Sequence, residues 1–242
     1  MSHLVLANVL DSFAGAIQFI FEPRDSGLAG GEVGGLGEVW ELTKDHLKIS
    51  GVALGMGLLL ALPVGIVLGH RGQGEGLAIA LGNSGRAIPE LALIAFFVAY
   101  FGIGFTQAAI ALSILAIPPI LTNTFVGIRQ VDRDAVQAAR GMGMSETAVL
   151  MKVELPLAAP TIMTGVRTAA INVIATATIA PLVGVASLGD FILQANIYGD
   201  EGVLAGAICV AVLVLVVELL LAGVQRLLTP KGVELQRAAA AA

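Results

Sequence analysis

"QAARGMGMSETAVLMKVELPLAAP", Gln137 to Pro160, is a charged, glycine-punctuated interruption between long apolar blocks. It carries Arg140, Glu146, Lys152 and Glu154 in a chain that is 57% hydrophobic and only 13% charged, with mean hydropathy +0.90. Soluble domains carry about 25% charged residues. The polar groups here are too few to cover a water-facing globule, so the chain reads as an all-α integral membrane protein. Transmembrane barrels alternate polarity over segments of about ten residues, and no such segments occur.

Five blocks on either side of this stretch are long and apolar enough to cross a bilayer, which takes roughly 20 residues each. They lie at about 47–69, 87–104, 107–128, 160–185 and 203–228. The run "LAIALG" between the first two is too short to span. Ser2 to Phe21 approaches the required length, but Asp11 near its centre disfavours a crossing. Its apolar residues Leu6, Leu10, Phe13, Ile17 and Ile20 recur at helical spacing on one face. An interfacial helix is expected, with a sixth span as the alternative. The start has no basic n-region, which does not fit a secretory signal. Residues 24–46 are acidic and glycine-rich without periodicity. The expected division is an N-terminal helix and acidic external linker (1–45), a membrane domain (46–230) and a C-terminal tail (231–242).

Basic residues orient the spans. Arg129, Arg133, Arg140 and Lys152 lie between the third and fourth blocks, Arg71 and Arg86 follow the first, and Arg226, Lys231 and Arg237 end the chain. Residues 186–202 contain no Lys or Arg, and neither does the turn "GIGFTQ". With five spans, the positive-inside rule is met when the loop 129–158 and the C-terminus are cytoplasmic. The net charge of −5 adds nothing to this, and the single cysteine, Cys209, excludes an internal disulfide framework. Gly51 and Gly55, then Gly65 and Gly69, place small residues at four-residue spacing, which suits close helix packing in lipid. Pro118 and Pro119 are expected to bend the third block or break its hydrogen bonding.

Within the charged stretch, Asp132 or Asp134 can cap a helix over "AVQAARGM". Gly143 can then take a left-handed turn, and Ser145 can cap a second short helix, "ETAVLMKVE", closed by Leu155 and Pro156. Val149, Leu150 and Val153 make its apolar face, while Glu146 and Lys152 stay in water. Two short helices at an angle form a docking element. The spacing also resembles the motif of permease subunits of ABC importers: E-A-A, three residues, Gly, nine residues, I-x-L-P. Gln137, Ala138, Ala139, Gly143, Val153, Leu155 and Pro156 meet that register, with Gln in place of Glu and Val in place of Ile. "NSGRAIPELALIAFFVAYFGIG", "PPILTNTFVGIRQVD", "TATIAPLVG" and "SLGDFI" are similar to the osmoprotectant branch, which takes up glycine betaine, carnitine or choline. Glu90 departs from the Ser or Thr expected there.

The resemblance implies a type I ABC importer permease fold in a prokaryotic plasma (inner) membrane, with about five transmembrane helices and a cytoplasmic coupling helix. It further implies a second permease subunit, identical or related, two cytoplasmic ATPases and an external substrate-binding protein. The sequence has no G-x-x-x-x-G-K-[ST] phosphate loop, so ATP and Mg belong to the partner ATPase. No cofactor, metal site, catalytic residue or nucleic-acid interaction is expected of this chain.

Thr164, Thr168, Asn172 and Thr176 recur every four residues in the fourth block and form one polar stripe. They read either as a hydrated translocation path or as interhelical hydrogen-bonding groups, worth about 0.6–2 kcal/mol per contact. Phe96, Phe97, Tyr100, Phe101 and Phe105 cluster at one end of the second block, as an interfacial belt rather than a cage for a quaternary ammonium. His3, His46 and His70 read as solvated or interfacial. Glu218 inside the last block needs a partner. With Glu90 it motivates the alternative function, a gradient-driven secondary transporter of a small zwitterion. A non-transporting membrane scaffold is a third reading.

Overall fold

The computed structural model describes residues 2–26, 28–76, 80, 82 and 88–229, with side chains from residue 10 onward. Helix α1 (Ser2–Phe21) leads into an antiparallel hairpin of β1 (Pro23–Ser26) and β2 (Gly31–Gly34). Helix α2 (Gly35–Arg71) follows, then α3 (Glu90–Phe101), α4 (Phe105–Arg129) and α5 (Arg133–Gly141). Helix α6 (Glu146–Val149) passes through a π-helical turn (Leu150–Glu154) into α7 (Leu155–Thr176). A 3₁₀ segment (Ala177–Val183), α8 (Gly189–Leu193) and α9 (Ala195–Leu228) complete the chain.

Among the described residues, four helical stretches are long and apolar enough to cross a membrane: Gly35–Arg71, Phe105–Arg129, Glu146–Val183 and Ala195–Leu228. The block at 87–104 holds only the twelve residues of α3. These rise about 18 Å, against a hydrocarbon core of about 30 Å. Most of "LAIALG", Arg86 and the tail 231–242 lie outside the described residues.

The chain divides into two compact units, Met1–Ala53, Glu90–Leu112 and Val173–Val216 in the first, and Leu54–Pro89, Ser113–Asn172 and Val217–Ala242 in the second. In sequence, the first holds three Lys and Arg against eleven Asp and Glu, and the second ten against seven.

The first unit is organised around aromatic rings. Phe19, Phe191 and Tyr198 pack edge to face, with centroids 5.4, 6.3 and 4.8 Å apart. Ala16, Val33, Leu42, Leu188 and Ala205 are buried with them. This core corrects the reading of 24–46 as an aperiodic linker. Strand alternation over four residues is too short to register as a pattern, and the hairpin is held by tertiary bonds instead. Arg24 pairs with Glu201 and the Tyr198 carbonyl, and Ser26 Oγ donates to the Ile197 carbonyl at 2.9 Å. Gly34 N–H and the Tyr198 hydroxyl both donate to Glu38, at 2.6 and 2.9 Å. On α1, the described part of the expected apolar face is divided, with Ile20 packed against this core. Leu10, Phe13 and Ile17 are exposed, whereas Ala16 and Phe19 are buried.

The second unit is built on small residues. Gly57, Gly65 and Gly69 of α2 leave no room for a Cβ against Ala116, Thr124 and Ile128 of α4. With Ala61 they form a buried seam of small residues at four-residue spacing. The expected pair Gly51 and Gly55 meets nothing within 4 Å. Gly165 of α7 similarly abuts Asn123 and the Pro119 carbonyl of α4. Helix α4 continues through Pro118 and Pro119, and Asn123 Nδ2 donates to the Pro119 carbonyl at 2.8 Å.

Candidate functional site

The charged loop follows the capping chemistry read from its residues. Asp132 caps α5 by accepting from Asp134 N–H at 2.8 Å. Gly143 turns the chain at φ +82°, in the left-handed region that favours glycine. Ser145 caps α6 by accepting from Ala148 N–H at 3.3 Å. Across this turn Arg140 makes a two-point hydrogen bond to Glu146, at 3.0 and 2.9 Å. Both side chains are exposed, so the bond fixes the angle of the turn more than it adds stability.

Two expectations are corrected here. Leu155 and Pro156 do not close the second helix. The Leu155 N–H bonds the carbonyl five residues back, at Leu150, and this wider turn accommodates the missing donor and ring of Pro156, so α6 continues into α7. Nor is the apolar face of α6 offered outward. Val149 is fully buried, and Leu150 packs onto the buried cluster of Ile128, Val131, Ala158 and Ile162. Val153 is half-buried and Ala139 buried. The exposed apolar side chains of the loop are Met142 and Met151, beside exposed Gln137 and Ala138.

A largely buried hydrogen bond anchors the loop. Glu154, 5% exposed, accepts from His70 Nδ1 at 2.6 Å, and His70 Nε2 stands 3.6 Å from Glu146. His70 at the end of α2 is therefore not merely solvated. His46 is also buried, donating from Nε2 to the Ile174 carbonyl at 2.9 Å. The side chain of His3 lies outside the described residues.

The threonine stripe is divided. Thr164, Thr168 and Asn172 are exposed in the second unit, while Thr176 is buried in the first and donates to Glu90 at 2.9 Å. Thr164 and Thr168 donate to the Pro160 and Thr164 carbonyls, both at 3.0 Å, so their hydrogens are already used one turn back. Asn172 has no hydrogen-bond partner among the described residues. Beside the stripe, Arg167 pairs with Glu218 and Gln225, and Gln225 Nε2 donates to the Pro160 carbonyl at 2.7 Å. Arg167 escaped the sequence reading, although a single cation within an apolar block is itself a signal.

The aromatic residues of α3 pair along their own helix, Phe96 with Tyr100 at 4.7 Å and Phe97 with Phe101 at 5.6 Å. Phe96, Tyr100 and Phe101 are more than half exposed. The pairing of these rings runs along one helix. Lys48 already sits over the Phe105 ring at 5.5 Å.

In the first unit, Ser187 locks the turn into α8. Its Oγ donates to the Ala177 carbonyl and accepts from Gly189 N–H, each at 3.0 Å, and its N–H donates to Asp190. Burial raises the Asp190 carboxyl above the ordinary aspartate range. The Ser187 N–H and Gln194 amide oppose that shift, and the negative charges of Glu38 and Asp45 add to it. A raised folded-state pKa means that its contribution is fully present below the unfolded value and is lost as pH rises through the folded one. Thermal unfolding in detergent is expected to show stability falling across that interval. Asp190→Asn, which keeps the acceptor oxygen, is expected to flatten the profile; parallel profiles for the two proteins would refute the assignment.

Comparison with known proteins agrees with this geometry. The family described as "Binding-protein-dependent transport system inner membrane component" matches residues 57–231. The choline transport system permease protein OpuBB of Bacillus subtilis (strain 168) is 40% identical over 199 residues, covering 82% of this chain and 92% of that protein. The carnitine transport permease protein OpuCB of Listeria monocytogenes is 41% identical over 192 residues, covering 79% and 88%. Among solved structures, an inward-facing MetNI methionine ABC transporter chain superposes with TM-score 0.70 at 21% identity, over 81% of this chain and 98% of that one. At that identity the likeness shows the fold alone.

Proposed function

The chain belongs to the inner-membrane components of binding-protein-dependent transport systems, and from that premise we propose that it forms the path of an ATP-driven importer for small osmoprotectants. It is a multi-pass inner-membrane protein with a type I importer permease fold. The observation that carries the reading is the capped two-helix loop around Gly143, with Met142 and Met151 exposed beside Gln137 and Ala138. The relatives' substrates, choline and carnitine, point to small quaternary ammonium compounds. A neutral stripe of Thr164, Thr168 and Asn172 suits their passage without tight retention.

In this reading residues 46–230 form the permease domain, and the loop 129–158 docks on a cytoplasmic ATPase. The C-terminus is cytoplasmic, as the basic loops require. Two ATPase chains, using ATP and Mg, close on each other and move the docked loops. The π-turn and the His70–Glu154 bond transmit that movement to α7 and α2. A second permease subunit and an external binding protein complete the assembly, and the binding protein selects the substrate. ATP and the loaded binding protein then shift the population between inward- and outward-facing states.

Gly143→Val tests the docking. A β-branched residue at φ +82° is strained by about 1–2 kcal/mol or more, and it sits on the exposed turn, away from the core. Membrane insertion is expected to survive while copurification of the ATPase falls at least about fivefold, as 1 kcal/mol implies. Undiminished copurification would count against the loop as the docking element. The gradient-driven alternative loses its motivating residues, because Glu218 is paired with Arg167 and Glu90 accepts from Thr176. Uptake into liposomes by the chain without ATPase, driven by a proton or sodium gradient, would restore it.

A further inference from the structure

The loop covers a cleft whose composition the docking role does not explain. A cavity of about 440 Å³ within the second unit is lined by His70 and Arg71 of α2, Arg129 of α4, Arg133 and Arg140 of α5, and Glu154. Four arginines from three helices thus converge on one space. Arg140 is committed to Glu146, and Glu154 to His70. Arg71, Arg129 and Arg133 have no carboxylate partner among the described residues, and all three are exposed. Among the described residues lining the cleft, Glu154 is the one carboxylate and is already occupied, so that lining is predominantly positive.

The backbone is shaped around these guanidinium groups. Gly72 turns at φ +66°, and a Cβ there would stand 2.9 Å from Arg129 Nη1. The absence of a side chain lets the Arg129 fork lie across the end of α2. Arginine presents planar, paired donors that match phosphate oxygens, and basic pockets between the ends of spanning helices suit anionic headgroups. The volume exceeds what a lone phosphate ion fills several times over.

We propose that this cleft is a binding site for a phosphate-bearing anion, held by Arg71, Arg129 and Arg133. Bound there, the anion would tie the ends of α2 and α4 to the base of α5, and so set how freely the loop moves. The proposal rests on the docking reading only for that last consequence. Binding itself can be measured whichever face the loop occupies, so the two can fail separately.

The test uses the full chain, purified in nonionic detergent with whatever subunits accompany it. Dihexanoyl phosphatidylglycerol, net-neutral dihexanoyl phosphatidylcholine and inorganic pyrophosphate are titrated by calorimetry. Either anionic probe is expected to bind at least about tenfold more tightly than phosphatidylcholine. Phosphatidylglycerol alone identifies a lipid headgroup, and pyrophosphate alone identifies a soluble phosphate. The combined R71Q/R129Q/R133Q variant is expected to lose at least about tenfold, with affinity falling steeply in salt for the unaltered chain. R71K/R129K/R133K keeps the charge and guards against loss of folding; it is expected to retain preference for the anion. Equal binding of neutral and anionic probes, or undiminished binding to the glutamine variant, overturns the proposal.

Discussion

Gly189→Val is expected to remove the folded chain from the membrane, with accumulation reduced at least about tenfold. A Cβ at position 189 would stand 1.8 Å from the Thr178 carbonyl oxygen and 2.5 Å from its carbon. The obstruction is backbone, so no rotamer change relieves it. Overpacking of side chains alone costs about 1–3 kcal/mol, and separating α8 from the 3₁₀ segment also breaks the Ser187 bonds to Ala177 and Gly189. Phe191 and Leu188, both fully buried, would be displaced from the first unit's core. Even Gly189→Ala carries the offending atom, so it should behave similarly. Size-exclusion profiles of fluorescent fusions in mild detergent measure the effect. A monodisperse Gly189→Val protein at normal yield would mean that the approach of α8 to Thr178 is not required.

Arg167→Leu is the second large effect. It leaves Glu218 without its countercharge in the apolar length of α9. A charged residue near the centre of a spanning helix costs about 2.5–3.5 kcal/mol on the insertion scale. Both side chains are about a quarter exposed, so water or a partner subunit reaching them would lessen the penalty. A loss of about 2 kcal/mol is expected for Arg167→Leu or Glu218→Leu alone. The double variant should recover most of it, because it removes both charges. Thermal unfolding of the four proteins gives the coupling energy directly. Simple additivity would show that the pair does not act as a unit. Transport supplies a separate reading: near-normal uptake by the double variant makes Glu218 structural, whereas complete loss would revive a proton-relay role.

The charged loop marks where the chain was and was not legible. Capping of α5 by Asp132, the left-handed turn at Gly143 and capping of α6 by Ser145 depend on neighbours within a few residues, and each could be read locally. The same loop misled where distant packing decided the outcome. Val149 has the spacing of an outward apolar face, yet it is buried, and Leu150 packs on Ile128 and Ala158. Helical periodicity says that residues share a face; it does not say which neighbour that face meets. His70 and Glu154 are 84 residues apart, and no local pattern announces their 2.6 Å bond. The hairpin at 23–34 was invisible because its strands are four residues long and its anchor, Ile197 to Glu201, lies far along the chain.

By itself, then, the sequence determined the solvent, the chain's family likeness and the caps and turn of the charged loop. Apolar content, caps and a left-handed glycine act through composition and nearest neighbours. Only the tertiary structure decided which polar groups are satisfied inside the membrane and which remain available. It paired Arg167 with Glu218, gave Thr176 to Glu90, buried Val149, and left Arg71, Arg129 and Arg133 around an open cleft. The physical reason is that a charge in an apolar medium is settled by whatever countercharge the fold brings within hydrogen-bonding distance, and that distance is not written along the chain.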